Sequence, residues 1–244
     1  MKSVTIILPA TDETYSLSQT VTQAREVLPL YQLEFLIVTS PKLTTPICRE
    51  TIQTLQQESF GNTIKTFDQS KPGIGGALQE AFMRATGEYT VLMASDLETD
   101  PQVLPSLLQK LDENWDIVTT TRWKGGSRFV GYNPVKLVLN FGFQLIFRTL
   151  YMTKLSDLTY AYRAYKTDIL KSIIWEHTGF PFLFETIVKP LRLKYTVTEV
   201  NAPWKARTEG RSHANWKQVV AYTKLGIRVR FLPISKIRYT DAHE

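Results

Sequence analysis

The run Ser95-Asp96-Leu97-Glu98-Thr99-Asp100-Pro101 sets three carboxylates at alternate positions, directly after an apolar stretch and before a proline. Hard divalent cations take such oxygen ligands, and a cation held there could carry a diphosphate leaving group. Asp100, preceding Pro101, also reads as a helix cap. The alternative for Asp96 and Glu98 is that both simply face solvent. A second candidate is KPGIGGALQEAF, where Gly73, Gly75 and Gly76 allow a tight loop before a helix. The GK[ST] of a P-loop is absent, and a plain turn is an equal reading.

These groups need a scaffold, and the first half of the chain supplies one. Short β-rich runs alternate with helical stretches, the pattern of a mostly parallel sheet covered by helices. The predicted strands are Val4 to Leu8, Leu33 to Val38, Thr63 to Phe67, Tyr89 to Ala94 and Asp116 to Thr121. Thr45-Pro46 and Asp100-Pro101 each place a capping side chain before a proline suited to the first helical position. Ligands of such α/β sheets collect at the carboxyl ends of the strands, where the acidic run falls. After the first strand comes PATDE, without glycine, so a nicotinamide enzyme is disfavoured.

The 244 residues and 28.0 kDa suit one large domain, with 43% hydrophobic and 21% charged residues in ordinary globular proportion. Cys48 is the single cysteine, and His177, His213 and His243 are far apart, which argues against a zinc motif. The start MKSVTIILPATDE reads as a first strand rather than a signal peptide, and a reducing, cytoplasmic setting is expected. Net charge is +6, but residues 1–121 hold 8 Lys+Arg against 15 Asp+Glu while residues 122–244 hold 21 against 8. An acidic half followed by a basic half suits a cation site beside a surface for phosphate, nucleic acid or anionic lipid. Nucleic acid is not expected as a partner, because no recognised binding motif accompanies the charge.

The segment Val135 to Met152 carries Lys136, Asn140, Gln144 and Arg148 every four positions, a polar stripe on an otherwise apolar helix. Two charges within about 18 residues disfavour a spanning helix. An interfacial helix with Phe141, Phe143, Phe147 and Tyr151 toward lipid is one reading, and a buried core helix the other. Between Ala202 and Arg238 stand nine Lys+Arg against only Glu209, with Trp204, Trp216 and Tyr222 among them. The chain reads as a domain over 1–215, including the helix 135–152, followed by a basic C-terminal helix or tail over 216–244.

Taken in order, six segments resemble the GT-A glycosyltransferases of family 2, in particular the polyprenyl-phosphate sugar transferases of the dolichol-phosphate mannose synthase group. VTIILPATDE resembles that family's first strand and P-x-x-N-E loop. KPGIGGALQEAFMRATGEYTVLMASDLETDP resembles its stretch from glycine loop to metal motif. TTRWKGGS, LSDLTYAYRAYKTDIL, FPFLFETI and VNAPWKARTEGRSHANW resemble its phosphate loop, acceptor segment, acidic acceptor position and R-x-x-G-x-S element. The resemblance implies a Rossmann-like GT-A fold and transfer of a sugar, with inversion, from a nucleotide-sugar donor to a polyprenyl (dolichyl or undecaprenyl) phosphate at the cytoplasmic face of a membrane. It places the nucleotide near Pro9, Thr11, Glu13, Val38, Gly73 and Asp96, and Mg²⁺ or Mn²⁺ at Asp96 and Glu98. Phosphate and acceptor would meet Arg122, Arg163, Arg207 and Ser212, with Gly210 in the same element, and Asp96, Asp157, Arg163 and Glu185 would serve the catalytic centre. Asp157 and Glu185 could orient the acceptor or Arg163, or form structural ion pairs.

Three departures stand out. Ala94 occupies the position of the metal motif's first aspartate, strand two ends in VTSPK without the usual acidic pair, and His213 replaces a basic residue. Fewer carboxylates would then reach the cation, and none at Thr39 or Ser40 can read a nucleobase. A weakened transferase-like module that binds nucleotide or lipid, or a family 2 transferase with another acceptor, is the competing expectation. If the acceptor is a lipid phosphate, it is already an anionic nucleophile. No strong base is then needed, and the arginines that offer forked donors to phosphate carry the weight.

Overall fold

A computed structural model describes residues 1–58, 62–124, 134–202 and 216–239, with the side chains of 134–136 and 216 left aside. Seven strands form one sheet in the order β3-β2-β1-β4-β6-β5-β7. They are β1 (Ser3–Pro9), β2 (Gln32–Thr39), β3 (Thr63–Asp68), β4 (Tyr89–Leu92), β5 (Ile117–Thr121), β6 (Arg163–Lys166) and β7 (Val197–Asn201). All run parallel except β6, which lies antiparallel between β4 and β5. The carboxyl ends of the other six strands and the start of β6 therefore share one edge. The five expected strands are present, and β4 stops two residues short of Ala94.

Helices α1 (Tyr15–Val27), α2 (Pro46–Gln57), α3 (Gly73–Arg84), α4 (Leu104–Asp112), α5 (Pro134–Tyr151), α6 (Thr167–Ser172), α7 (Phe182–Arg192) and α8 (Trp216–Phe231) cover both faces. Successive strand residues point to opposite faces, so Ile6 enters a core with Leu17, Val21 and Leu107 while Ile7 enters one with Leu78, Phe82 and Phe182. That two-sided burial explains why β1 and β2 read as continuous apolar runs. Both expected caps form: Thr45 Oγ1 accepts from Cys48 N at 3.3 Å, and Asp100 Oδ1 accepts from Gln102 N at 3.0 Å.

α5 turns three of the four rings expected toward lipid inward, and only Phe141 of the four is exposed. Phe147 and Tyr151 are buried, and Phe143 packs against Phe147, Phe184 and Tyr222. On the polar stripe Gln144 is buried, and Asn140 and Arg148 are half-buried. The outward residues are Val138, Leu139, Phe141, Leu145, Ile146 and Thr149. α8 crosses α5 at Gly226, whose carbonyl accepts from Tyr151 Oη at 2.7 Å, and adds Leu225 and Val229 to the second core. No described helix is long and apolar enough to cross a membrane.

Candidate active site

The loop after β4 is fastened at both ends. Ala94 N donates to Thr99 Oγ1 at 3.1 Å, and Ser95 Oγ donates to the Pro9 carbonyl at 2.5 Å. Between these ties Leu97 adopts a φ of +61°, a conformation that costs a residue with a side chain about 1–2 kcal/mol. The turn brings Glu98 N onto Asp96 Oδ1 at 3.0 Å, with Asp96 buried and Glu98 half-buried. Two carboxylates at a strand end fit Mg²⁺ or Mn²⁺ when a nucleotide's phosphates complete the shell. Among the described residues no three Asp, Glu, His or Cys side chains converge, so these side chains alone do not cage an ion.

Arg122 follows directly on β5 and lies across from that loop. Its Nε donates to Asp157 Oδ2 at 2.7 Å and its Nη2 to Oδ1 at 3.1 Å, while the guanidinium sits 4.6 Å from the Tyr160 ring centroid. Tyr160 Oη donates to the Glu98 carbonyl and Tyr162 Oη to the Asp100 carbonyl, each at 3.0 Å. Two phenols thus hold the acidic loop against the segment that holds Arg122. Burial raises the affinity of both phenols for their protons, which keeps them donors.

Asp157 is fully buried and also accepts from Thr159 N, Tyr160 N and Gln144 Nε2, at 3.1, 3.1 and 3.2 Å. Burial alone would push its carboxyl up, but the charge and hydrogen bonds of Arg122, with the two backbone N–H groups, bring it below the usual range. It is therefore anionic at neutral pH. Glu199 on β7 fastens the same loop, accepting from Ser156 N at 2.7 Å and pairing with Lys124 Nζ at 2.7 Å.

Two residues expected at the acceptor are fully enclosed among protein partners. Arg163 is fully enclosed, and its guanidinium donates to Thr119 Oγ1, Leu183 O, Thr186 Oγ1 and Leu158 O at 2.6 to 2.9 Å. It fastens β6 to β5, α7 and the Asp157 loop. Glu185 is equally enclosed, 2.5 Å from Lys189 Nζ, and accepts from Glu176 N and His177 N at 3.1 and 2.9 Å. Both are structural in this geometry, and the reason is burial against protein donors and acceptors that no local sequence pattern displays.

The glycines serve close packing at the start of α3. A Cβ at Gly73 or Gly75 would lie 2.4 Å from the carbonyl oxygen of Thr178 or His177, and Thr178 O accepts from Gly75 N at 2.7 Å. The nucleotide-side expectations fall at the ends of β1 and β2. Glu13 Oε2 accepts from Thr11 N at 2.7 Å and Asp12 N at 3.1 Å, and buried Val38 pairs in register with Pro9. Asp68, missed in the sequence, closes β3 in register with Thr39 at the acid-free end of strand two. It accepts from Thr39 Oγ1 and from Arg49 Nη2, each at 2.8 Å. An aspartate closing a strand was its only signal. Arg207, Gly210, Ser212 and His213 lie outside the described residues.

This sheet, with one reversed strand and an acidic loop after β4, has the GT-A fold. Among the solved structures that share it are a synthase and a mannosyltransferase. Glucosyl-3-phosphoglycerate synthase of Mycobacterium tuberculosis, in complex with Mn²⁺, UDP and phosphoglyceric acid, superposes with a TM-score of 0.68 at 15% identity, covering 95% of this chain and 80% of its own. A mannosyltransferase of Pyrobaculum calidifontis in complex with GDP-Man and Mn²⁺ gives 0.64 at 16% identity, covering 95% and 67%. Residues 5–174 match glycosyl transferase family 2, and the chain belongs to that family. It is 23% identical over 228 residues to a dolichol-phosphate mannosyltransferase of Pyrococcus furiosus, an alignment covering 91% of this chain and 62% of that relative's length. It is 27% identical over 172 residues to an undecaprenyl-phosphate mannosyltransferase of Micrococcus luteus, covering 66% and 70%.

Proposed function

We propose that this chain carries out sugar transfer from a nucleoside diphosphate donor to a polyprenyl phosphate at a membrane surface, with inversion. The observation that supports it is the Tyr160 bridge, which sets the Asp96–Glu98 loop beside the Arg122–Asp157 pair. Asp96 and Glu98 would hold a divalent cation, which when bound offsets the charge of the departing diphosphate. Pro9, Thr11, Glu13, Val38 and Gly73 line the nucleotide side in this reading. Arg122, held in one orientation by Asp157 and Tyr160, presents its positive field to the acceptor phosphate, joined by Arg207 and Ser212. An acceptor phosphate oxygen attacks the anomeric carbon as the bond to the nucleoside diphosphate breaks. The nucleophile arrives already anionic, so orientation and charge placement supply the catalysis.

The test is product formation. Full-length chain is mixed with GDP-, UDP- or CDP-hexose and a short polyprenyl phosphate, with Mn²⁺ or with chelator, and the lipid fraction is weighed by mass spectrometry. One donor should give a hexosyl polyprenyl phosphate in Mn²⁺ and none in chelator. No product from any donor in Mn²⁺ overturns the reading.

A further inference from the structure

α5 is apolar on its outer side as well as its inner one, where Phe147 and Tyr151 are buried. Its inner side carries Gln144, whose Nε2 donates to Asp157 Oδ1 at 3.2 Å and Thr159 Oγ1 at 2.9 Å and whose Oε1 accepts from Leu158 N at 2.8 Å. Its outer side shows Val138, Leu139, Phe141, Leu145 and Ile146, each more than half exposed, with no charged residue among them. α8, crossing at Gly226, likewise exposes Val219, Val220, Ile227 and Phe231. Single exposed apolar residues are ordinary, whereas nine on two crossing helices mark a surface made to be covered.

Charge selects the occupant. α5 contains no Asp or Glu, and Trp216 to Tyr239 contains six Lys or Arg with no Asp or Glu. Lys217 and Lys224 are exposed on α8 beside the apolar residues, as is Arg228, whose guanidinium pairs with Glu176 Oε1 at 2.6 Å. Apolar side chains on helices whose own charges are all positive fit the headgroup and acyl boundary of an anionic bilayer.

We infer that α5 and α8 dock on an anionic bilayer and that α5, through Gln144, couples this contact to the Asp157–Arg122 pair. The coupling deepens the transfer reading and rests on it for its meaning, but its physics needs no turnover. A bilayer that holds the outer face of α5 restricts the helix carrying Gln144. The Leu158, Thr159 and Tyr160 amides, whose acceptors are Gln144 and Asp157, then open less often. Arg122 is held at its site most firmly where a lipid acceptor is present. Gln144 is thus a positioning residue.

The experiment reads binding and local opening without substrate. Full-length chain is floated with phosphatidylcholine vesicles containing or lacking phosphatidylglycerol, and amide exchange is followed in parallel. Wild type should float with the anionic vesicles, and exchange at Leu158 to Tyr160 should slow about tenfold. Leu145→Ser/Ile146→Ser changes only exposed side chains and should keep its melting temperature while floating about tenfold less. Gln144→Met keeps the side-chain length without the amide, and should float like wild type with no slowing of exchange on vesicles. The inference fails if wild type does not float, if the double variant floats equally, or if Gln144→Met slows as wild type does. A dimer in solution that the double variant abolishes would assign the face to a second copy and also overturn it. None of these outcomes depends on sugar transfer, so each is separable from failure of the proposed reaction.

Discussion

Asp157 shows how one buried charge is made tolerable and then used. Its carboxylate sits in a 0% exposed position because Arg122 and two backbone N–H groups are arranged around it. Asp157→Asn removes the countercharge of Arg122, and a broken buried pair of this kind costs about 3–5 kcal/mol, readable by urea unfolding at pH 7. The folded-state pKa is depressed, so the contribution is complete above the unfolded value of about 4 and is lost as pH falls through the folded value. The stability difference between wild type and Asp157→Asn should therefore stay constant above about pH 4 and shrink progressively as pH falls below it, toward the depressed folded value. Arg163 makes a contrasting prediction. Lysine cannot reach its four acceptors together, and each buried acceptor left alone costs about 1–3 kcal/mol. Arg163→Lys should lower the urea midpoint strongly, and wild-type stability in that variant would refute the structural assignment. The sequence shows an arginine in an acceptor-like segment. It does not show burial, because the acceptors come from three places distant in the chain: Thr119 on β5, Leu158 in the loop before β6, and Leu183 and Thr186 on α7.

Elements were legible in proportion to how far their burial follows one simple period. β1 and β2, covered on both faces, announce themselves as Val-Thr-Ile-Ile-Leu and Leu-Glu-Phe-Leu-Ile-Val. β6 has only four residues, Arg163 to Lys166, and β7 is half-exposed Val-Thr-Glu-Val-Asn, so neither carries a pattern that stands out from a loop. For α5 the period of four is real, but period alone does not say which side faces the protein. Asp157, fixed by Gln144, turns the polar stripe inward. The crossing with α8 is tested by Gly226→Ala, whose Cβ would fall 2.2 Å from Phe147 Cε1 and 2.7 Å from Phe184 Cε1. Both rings are enclosed, so repacking should cost about 1–3 kcal/mol in thermal or urea unfolding. Unchanged stability would mean that the helices do not meet there.

Across the whole molecule, one sheet edge gathers groups far apart in the chain: the Pro9 to Glu13 loop, Val38, Asp68, the Asp96 to Asp100 loop, Arg122 and Asp157. The acidic first half supplies the candidate cation loop and the basic second half supplies the outward helix α8, so the charge division seen in the composition falls on the two surfaces proposed for a cation and for a bilayer. The central claim is that Asp96 serves the departing diphosphate through a cation. The direct measurement is kcat/KM for hexose transfer to a polyprenyl phosphate by wild type and Asp96→Asn, titrated with Mn²⁺, with melting temperature as the control. A fall of about a hundredfold or more for Asp96→Asn at saturating Mn²⁺, at nearly unchanged melting temperature, is the predicted result. Equal kcat/KM and equal Mn²⁺ dependence in the two proteins would contradict it.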